Sequence, residues 1–362
     1  MCETGMVLSE LSYMIRHTKK FARKHRVMTP LAQFHASSYQ MPCPYGVVLV
    51  MSPWNYPFML TVDPLIDAIA AGNTVMVKPS AYSPYTSQII EEILTNVFPK
   101  EYVSVILGGR KENQALLEEK FDYIFFTGSP YVGHEVMSKA SVHLTPVTLE
   151  LGGKSPCIVD ETANIKLAAR RIVFGKYLNL GQTCVAPDYI YVHTSVKDKL
   201  IHEVIQEIKR QYQDLSSYGK IINEKHFDRI SKLLDPNKIV YGGKTNRETM
   251  KIEPTIMDHV SWDDAVMQEE IFGPIMPILT FTDFEDCINI IKEKPSPLAL
   301  YLFSSNKTRV DMVTHSVPYG GGCINDTIIH LATSNMPFGG VGNSGMGGYH
   351  GKEGFKTFTH YK

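Results

Sequence analysis

The stretch Gly46–Met51, GVVLVM, decides the fold class of this chain. Its uncharged, valine-rich run predicts a strand that is buried on both faces. A helix is predicted over Pro57–Ala71, where Gly72 ends it, and a second strand over Asn73–Val77. Ser83 is then predicted to cap a helix that has Pro84 in its first turn. The alternation continues with strands predicted at Tyr102–Leu107 and Tyr123–Phe126. This pattern predicts an α/β fold in which helices cover a parallel sheet, and nucleotide sites in such sheets lie at the carboxyl ends of the strands.

A second alternating block, which includes a strand predicted at Ile275–Phe281, predicts a second parallel sheet. We therefore expect a cofactor-binding domain over 1–153, a catalytic domain over 154–343 and a tail, 344–362, that returns to the first domain. The polar, proline-containing residues 26–45 are interpreted as an extended oligomerisation arm. Glu150–Gly153 is the expected hinge, because its two glycines let the chain turn sharply.

Composition excludes several classes of function. The 362 residues carry a net charge of −1, which gives no electrostatic attraction to nucleic acid or anionic lipid. The six cysteines form no CxxC pair and no Cys/His cluster, so no metal site is predicted. Apolar runs have the length of strands, and Glu3 and Glu10 interrupt the N-terminus, so neither a membrane span nor a secretory signal is expected. We predict a cytoplasmic protein.

Three motifs carry residues suited to covalent chemistry on a carbonyl. They are Pro53–Pro57 (PWNYP), Glu150–Pro156 (ELGGKSP) and Gly181–Tyr189 (GQTCVAPDY), which supply a carboxamide, a carboxylate and a thiol. With these motifs the chain resembles the aldehyde dehydrogenase family over nearly its whole length. The CVAPDY version is similar to the third class, which includes the fatty and aromatic aldehyde enzymes. This resemblance implies two parallel-sheet α/β domains, a variant Rossmann cofactor domain and a catalytic domain, with a small oligomerisation arm.

The resemblance implies a mechanism. Cys184 attacks the aldehyde as a thiolate, and the Asn55 amide with the Cys184 backbone N–H holds the resulting oxyanion. After hydride transfer a thioester remains on Cys184, and water hydrolyses it with help from a general base. Glu150 is the first choice for this base and Glu270 the second. Medium-to-long aliphatic or aromatic aldehydes are the expected substrates.

The cofactor turn lacks a G-x-G-x-x-G fingerprint. Gly128 and Ser129 instead open a helix after a predicted strand, which suits a phosphate, although a plain strand-to-helix turn has the same pattern. The resemblance also makes Trp54 a cofactor-binding residue. Lys78 would then hold the adenosine ribose rather than being a solvated charge.

The resemblance assigns the nicotinamide ribose to Glu270, with Phe272 packed against it. NAD is the expected cofactor. Many relatives have Glu where this chain has Ala81, and loss of that carboxylate removes a repulsion against a 2′-phosphate. We therefore expect NADP to be accepted as well, although Ala81 could serve packing alone.

The wall of the substrate tunnel is expected from two further segments. Phe338, in the glycine-dense loop 337–345, and Tyr56 are predicted lining residues. His330 could also reach the tunnel or be a core histidine.

The chain is shorter than members of the resembled class at both ends. A truncated, non-catalytic protein is therefore one alternative, and a CoA-acylating enzyme is another, although Glu150 argues against the latter. A homodimer is expected, with the arm and the tail as candidate contacts.

Overall fold

The computed structural model of this protein describes residues 3–362, which form two compact units. The first holds the chain up to Glu150 together with Ala332–Gly339 and Met346–Lys362. The second holds Leu151–Leu331 and Gly340–Gly345. The division after Glu150 lies three residues before the predicted domain boundary.

The first unit is built on a parallel sheet. Five of its strands lie in the order Val147–Glu150, Tyr123–Thr127, Val47–Met51, Thr74–Lys78 and Val103–Val105, and all four pairings are parallel. The strands Val47–Met51 and Tyr123–Thr127 are almost continuously buried, so both faces of the sheet are covered. The α/β prediction is therefore confirmed for this unit.

The chain reverses its direction of winding between two adjacent strands of this sheet. From Val47–Met51 it proceeds outward to Val103–Val105 and then returns to Tyr123–Thr127 on the other side. Ligands of open α/β sheets bind in the crevice at such a switch point. The segments that follow these two strands carry Asn55 and Gly128, so the fold brings the predicted motifs to one edge of the sheet.

In the described part of the first unit there are six helices, and one of them begins differently from the sequence prediction. They are Thr4–Phe21, Met59–Ala70, Pro84–Val97, Arg110–Glu118, Pro130–Ser141 and Gly351–Thr357. Ser83 precedes Pro84 as predicted, but its side chain accepts no capping hydrogen bond and its hydroxyl instead donates to the Ser80 carbonyl at 3.3 Å. Proline at the first position compensates, since it has no N–H to satisfy.

The predicted arm is a hairpin. His25–Val27 pairs antiparallel with Ser38–Gln40, and Pro42–Pro44 pairs with Thr359–Tyr361. The hairpin tip exposes three large apolar side chains, Met28, Leu31 and Phe34.

The segment Ala332–Gly339 differs from the prediction, which assigned it to the catalytic domain. It packs with the first unit because Phe338 exchanges two backbone hydrogen bonds with Tyr349 and the Ser334 hydroxyl donates to Glu10 at 2.5 Å. Local sequence patterns do not reveal the Ser334–Glu10 contact, because Glu10 lies 324 residues before Ser334.

Three buried carboxyl groups lie where the first two helices of this unit pack. Glu10, Asp63 and Asp67 are at most 4% exposed. The pKa of Asp67 is raised well above its usual value by burial and then by the charges of Glu10 and Asp63. Folding therefore favours the protonated form of Asp67.

The second unit contains a seven-stranded sheet. Its order is Ile239–Tyr241, Thr255–Met257, Ile275–Phe281, Tyr189–His193, Pro156–Val159, Ala299–Phe303 and Gly321–Ile324. Only the edge strand Ile239–Tyr241 is antiparallel to its neighbour. Two parallel-sheet α/β units are thus present, as predicted. The remaining short strands of this unit are Thr245–Asn246 and Lys251–Ile252, whereas Gly345–Met346 is the edge strand next to Val147–Glu150 in the first sheet.

Four of the six helices of the second unit begin at side-chain caps. Asn164, Asn223, Asp283 and Asn306 each accept hydrogen bonds from backbone N–H groups of the first turn. The helices are Ile165–Tyr177, Lys197–Gln211, Glu224–Ser231, Ala265–Gln268, Phe284–Lys292 and Lys307–Ser316. Within residues 3–362 no helix is both long enough and apolar enough to cross a bilayer.

Candidate active site

The Trp54–Tyr56 segment lies directly after the strand Val47–Met51, at the switch point of the first sheet. Trp54, Asn55 and Tyr56 are all half-buried, and the Tyr56 carbonyl accepts a hydrogen bond from the Leu60 backbone N–H at 2.9 Å. The segment therefore leads into the helix Met59–Ala70, which fixes the position of its backbone. This placement suits a carboxamide that must meet a ligand at the carboxyl edge of the sheet.

Lys78 is buried rather than solvated. It ends the next strand, is 3% exposed, and donates to the carbonyls of Pro79 at 2.9 Å and Gly108 at 2.6 Å. Burial lowers the pKa of its ammonium, and the nearby Glu112 carboxylate opposes that shift. The alternative prediction, that Lys78 is a solvated surface charge, is therefore wrong.

A cavity adjoins Lys78. It has a volume of about 240 Å³ and is lined by Pro79, Ser80, Ala81, Pro84, Ser87, Gln88, Leu107 and Gly108. None of these lining side chains is a carboxylate. The cavity lies at the carboxyl ends of two strands, and its mixture of apolar and hydroxyl groups fits the adenosine half of a dinucleotide.

Gly128 and Ser129 lie between the strand Tyr123–Thr127 and the helix Pro130–Ser141. Ser129 is the N-cap of that helix, but its hydroxyl is a distant 3.5 Å from the Val132 N–H. The Gly128 N–H already donates to the Glu150 carbonyl at 2.9 Å. A phosphate at this turn would therefore be bound by the helix's first turn rather than by Gly128.

Glu150 ends the strand Val147–Glu150 and is 2% exposed. Among the described residues, none donates a hydrogen bond to either of its carboxyl oxygens. Burial raises its pKa well above the usual value. A carboxyl kept in an environment this unfavourable marks a candidate for proton transfer, because a purely structural carboxyl is normally hydrogen-bonded.

Cys184 is half-buried and lies in a β-turn. The turn runs from Thr183 to Ala186 and is closed by the Ala186 N–H, which donates to the Thr183 carbonyl at 3.0 Å. Cys184 and Val185 are its two central residues. The turn sets the direction of the Cys184 backbone N–H, which is the group expected to bind an oxyanion.

The loop that carries this turn is held at both ends. Before it, the buried Gln182 donates to the Lys220 carbonyl at 3.2 Å and accepts from the Ile222 N–H at 3.0 Å. After it, the Asp188 N–H donates to the Ser155 carbonyl at 2.8 Å. The thiol therefore lies on a loop with little freedom to move.

Asp188 connects this loop to the segment that contains Glu270. Its carboxylate forms a 2.5 Å ion pair with Lys154 and accepts from the Ile271 N–H at 2.9 Å. The Lys154 ammonium also donates to the carbonyls of Val266 and Glu269, at 3.0 and 2.8 Å. One buried ion pair thus positions two segments that the motifs single out.

Glu270 retains some exposure as a residue, but its carboxyl points inward. It packs on Gly152, where any side chain would collide with the carboxyl oxygens. Burial, followed by the Asp188 charge, raises the pKa of Glu270 to about 8. Arg229 donates hydrogen bonds to the carbonyls of Glu270 and Ile271. Phe272, the residue after Ile271, has a positive φ of 48°.

Phe338 and His330, two of the three predicted tunnel residues, fall in different environments. Phe338 is 7% exposed and packs in the first unit against the rings of Tyr349 and His350. His330 lies in the second unit, with Nδ1 3.6 Å from the Cys323 sulfur and its ring 6.0 Å from that of Tyr301. Desolvation lowers the pKa of His330 to about 4, so the ring is neutral near pH 7.

The predicted residues therefore group by unit. Trp54, Asn55, Tyr56, Lys78, Gly128, Ser129, Glu150 and Phe338 belong to the first unit, whereas Cys184, Glu270, Phe272 and His330 belong to the second. Sequence reasoning assigned no role to Tyr301, whose hydroxyl donates to the Val185 carbonyl in the Cys184 turn, or to Asp188. A tyrosine inside the apolar strand ALYLF was the available signal, because a buried hydroxyl needs a hydrogen-bond partner.

A metal centre finds no support in the described part of the chain. Within residues 3–362, no three His, Cys, Asp or Glu side chains are grouped so as to hold a metal ion.

Comparison with known proteins identifies the family. The family model described as "Aldehyde dehydrogenase family" matches residues 2–362. The 4,4′-diaponeurosporen-aldehyde dehydrogenase of Staphylococcus aureus (strain NCTC 8325 / PS 47) is 50% identical over 99% of this chain and 80% of its own length. A "dimeric NADP-preferring" aldehyde dehydrogenase of Mus musculus is 43% identical over 99% of this chain and 80% of its own.

A solved structure agrees with the sequence comparisons. The substrate-bound state of Staphylococcus aureus AldH superposes with a TM-score of 0.98 at 49% identity, over 99% of this chain and 80% of that one. Family members use NAD or NADP. The chain therefore belongs to the aldehyde dehydrogenase family, whose members are oxidoreductases that act on aldehydes.

Proposed function

We propose that this protein oxidises medium-to-long aliphatic or aromatic aldehydes to carboxylic acids through a covalent intermediate on Cys184. The observation that carries the proposal is the anchored β-turn with Cys184 at its centre. A half-buried thiol on a loop tied at Gln182 and Asp188 suits attack on a carbonyl, because the nucleophile is held in one geometry.

The first step is addition. The Cys184 thiolate attacks the aldehyde carbon, and the carbonyl oxygen becomes an oxyanion in a thiohemiacetal. The Asn55 side-chain amide and the Cys184 backbone N–H donate hydrogen bonds to that oxyanion. NAD or NADP, when bound, accepts the hydride that then leaves this carbon. Lys78, Trp54, Glu270, Phe272 and the turn at Gly128–Ser129 would hold the cofactor.

The second step is hydrolysis of the thioester on Cys184. A base takes a proton from water, the resulting hydroxide adds to the acyl carbon, and the thiolate leaves as the acid forms. Glu150 is the favoured base, because a buried carboxyl without a protein hydrogen-bond donor has a raised proton affinity. Glu270, with a pKa of about 8, is suited to share this work.

Both NAD and NADP should be accepted. The cavity beside Lys78 has Ala81 in its lining and no lining carboxylate that would repel a 2′-phosphate. The Glu112 carboxylate lies close to this cavity without lining it, since it accepts a hydrogen bond from the Gly109 N–H at 2.6 Å, next to the lining residue Gly108.

Assembly and compartment complete the proposal. A homodimer is supported by the word "dimeric" in the name of the mouse relative and by the apolar hairpin tip at Met28, Leu31 and Phe34. A reducing compartment such as the cytoplasm is supported by the buried free thiols Cys157 and Cys287.

The test is formation of NADH and NADPH with hexanal and benzaldehyde, with the acid product identified with and without CoA. Wild type is compared with Cys184→Ala and with Cys323→Ala, which removes another half-buried thiol of the same unit. We expect activity in wild type and Cys323→Ala, none in Cys184→Ala, and no dependence on CoA.

Each other outcome selects an alternative. Product that forms only with CoA would show an acylating enzyme. A folded wild type without activity would favour a non-catalytic protein. Equal activity in Cys184→Ala would refute the covalent mechanism.

A further inference from the structure

Tyr301 connects the central sheet of the second unit to the nucleophile turn. It lies in the strand Ala299–Phe303, between Pro156–Val159 and Gly321–Ile324. Its hydroxyl donates to the Val185 carbonyl at 2.5 Å, across 116 residues of sequence. Val185 is the neighbour of Cys184 and the other central residue of the turn, so this bond acts one peptide away from the nucleophile.

The environment of the Tyr301 hydroxyl leaves it little alternative. The side chain is fully buried, and Cys323, Cys184 and Cys157 are the titratable groups that act on it. The backbone N–H of Ile328 also contacts the hydroxyl and lowers the phenol's pKa, but burial outweighs that effect and raises it overall. The phenol therefore stays protonated and remains a donor to Val185.

Two hydrogen bonds hold the turn at the peptide between Val185 and Ala186. The Ala186 N–H closes it onto Thr183, and the Tyr301 hydroxyl fixes the Val185 carbonyl. Without the Tyr301 bond, this peptide would lose one of its two restraints, and the buried Val185 carbonyl would lose its hydrogen-bond donor. A shift of that peptide changes ψ of Val185, one of the angles that define the turn, and so disturbs the loop that carries the Cys184 thiol and N–H.

We propose that Tyr301 is a positioning residue for catalysis, which holds the Cys184 turn so that thiol and backbone N–H meet the same carbonyl group. This inference rests on the proposed function. It predicts that loss of the Tyr301 hydroxyl lowers the rates of the chemical steps while the affinity for the cofactor is unchanged.

The experiment compares Tyr301→Phe with Tyr177→Phe in the full chain. Tyr177 is the matched control, because it is also fully buried in the second unit and its hydroxyl also donates to a backbone carbonyl, that of Thr255 at 3.0 Å. Measured quantities are kcat and KM for hexanal and for NAD, the thermal midpoint, and cofactor-free hydrolysis of p-nitrophenyl acetate. That ester needs the thiol and the oxyanion donors but no cofactor.

We expect Tyr301→Phe to lower kcat for hexanal and the rate of ester hydrolysis by roughly 10- to 100-fold. KM for NAD should stay within about twofold, and Tyr177→Phe should change kcat by less than about twofold, since its bond lies away from the turn. Equal kcat in the two variants would overturn the inference while leaving the proposed function in place. So would a Tyr301→Phe protein that loses NAD binding and thermal stability in proportion to activity. A folded wild type inactive toward aldehyde and ester would instead overturn the proposed function, and this inference with it.

Discussion

Substitution Asp188→Asn should weaken both the fold and the catalysis of the second unit. Asp188 and Lys154 have side chains that are 4% and 19% exposed, and they form a 2.5 Å ion pair. Removing one partner of a buried pair costs about 3–5 kcal/mol, because the other charge is left without compensation. Asparagine still accepts from the Ile271 N–H, and Lys154 keeps two carbonyl acceptors. We therefore expect a loss of about 2–3 kcal/mol in the free energy of unfolding.

The chain offers a matched control in Asp258→Asn. Asp258 pairs with Lys197 at 2.7 Å, their side chains are 9% and 17% exposed, and Asp258 also accepts a backbone N–H, that of His259, at 2.8 Å. This pair lies in the same unit but holds neither of the motif segments. It should lose stability to a similar degree while its kcat stays within about twofold, whereas Asp188→Asn should lower kcat at least about tenfold.

Urea unfolding followed by tryptophan fluorescence measures the stability difference. In a Trp54→Phe background Trp262 is the one remaining tryptophan, and its ring contacts Tyr189 and Tyr191, next to Asp188. An unchanged slope with urea would attribute the shift to stability alone. A loss below about 1 kcal/mol would refute the assignment of a buried, compensated pair. Equal loss of kcat in both variants would refute the positioning role of Asp188.

Further predictions concern proton transfer, cofactor choice and pH. Glu150→Gln should lower kcat at least about 100-fold, because it removes the proposed base. It should also raise the thermal midpoint at pH 8, because the carboxyl it replaces must hold a proton in the fold. An unchanged kcat would contradict the role as base. Ala81→Glu should lower kcat/KM for NADP at least about tenfold and that for NAD less than about threefold; equal losses would contradict it. If Glu270 acts as a base, kcat should rise with pH through about 8, since the ionised form is active, and Glu270→Gln should lose that rise. The pKa of Asp67 is raised by burial and then by Glu10, so its contribution to stability is lost as pH rises through the folded-state pKa. Asp67→Asn should therefore be more stable than wild type at pH 8 but not at pH 4, as thermal midpoints would show.

Much of the fold could be predicted from local pattern. Buried parallel strands are continuous apolar runs, so Gly46–Met51, Tyr123–Phe126 and Ile275–Phe281 were found within a residue or two of the strands in the structure. Helix caps were less predictable from the sequence. Ser83 occupies the predicted N-cap position, but its side chain does not accept the capping hydrogen bond. A cap depends on a side-chain rotamer, which the neighbouring Ser80 carbonyl decides here.

The sequence by itself determined the family and the candidate catalytic residues, because residues within each short motif are covalently fixed neighbours whose spacing is visible in the chain. The tertiary structure alone decided how those residues are supported. Tyr301 and Val185 are 116 residues apart, Lys154 and Glu269 are 115 apart, and Ser334 and Glu10 are 324 apart. The tertiary structure also decided two pKa values: burial lowers the pKa of the Lys78 ammonium and raises that of the Glu150 carboxyl. Such shifts cannot be predicted from the sequence, because they depend on which groups the whole fold removes from water.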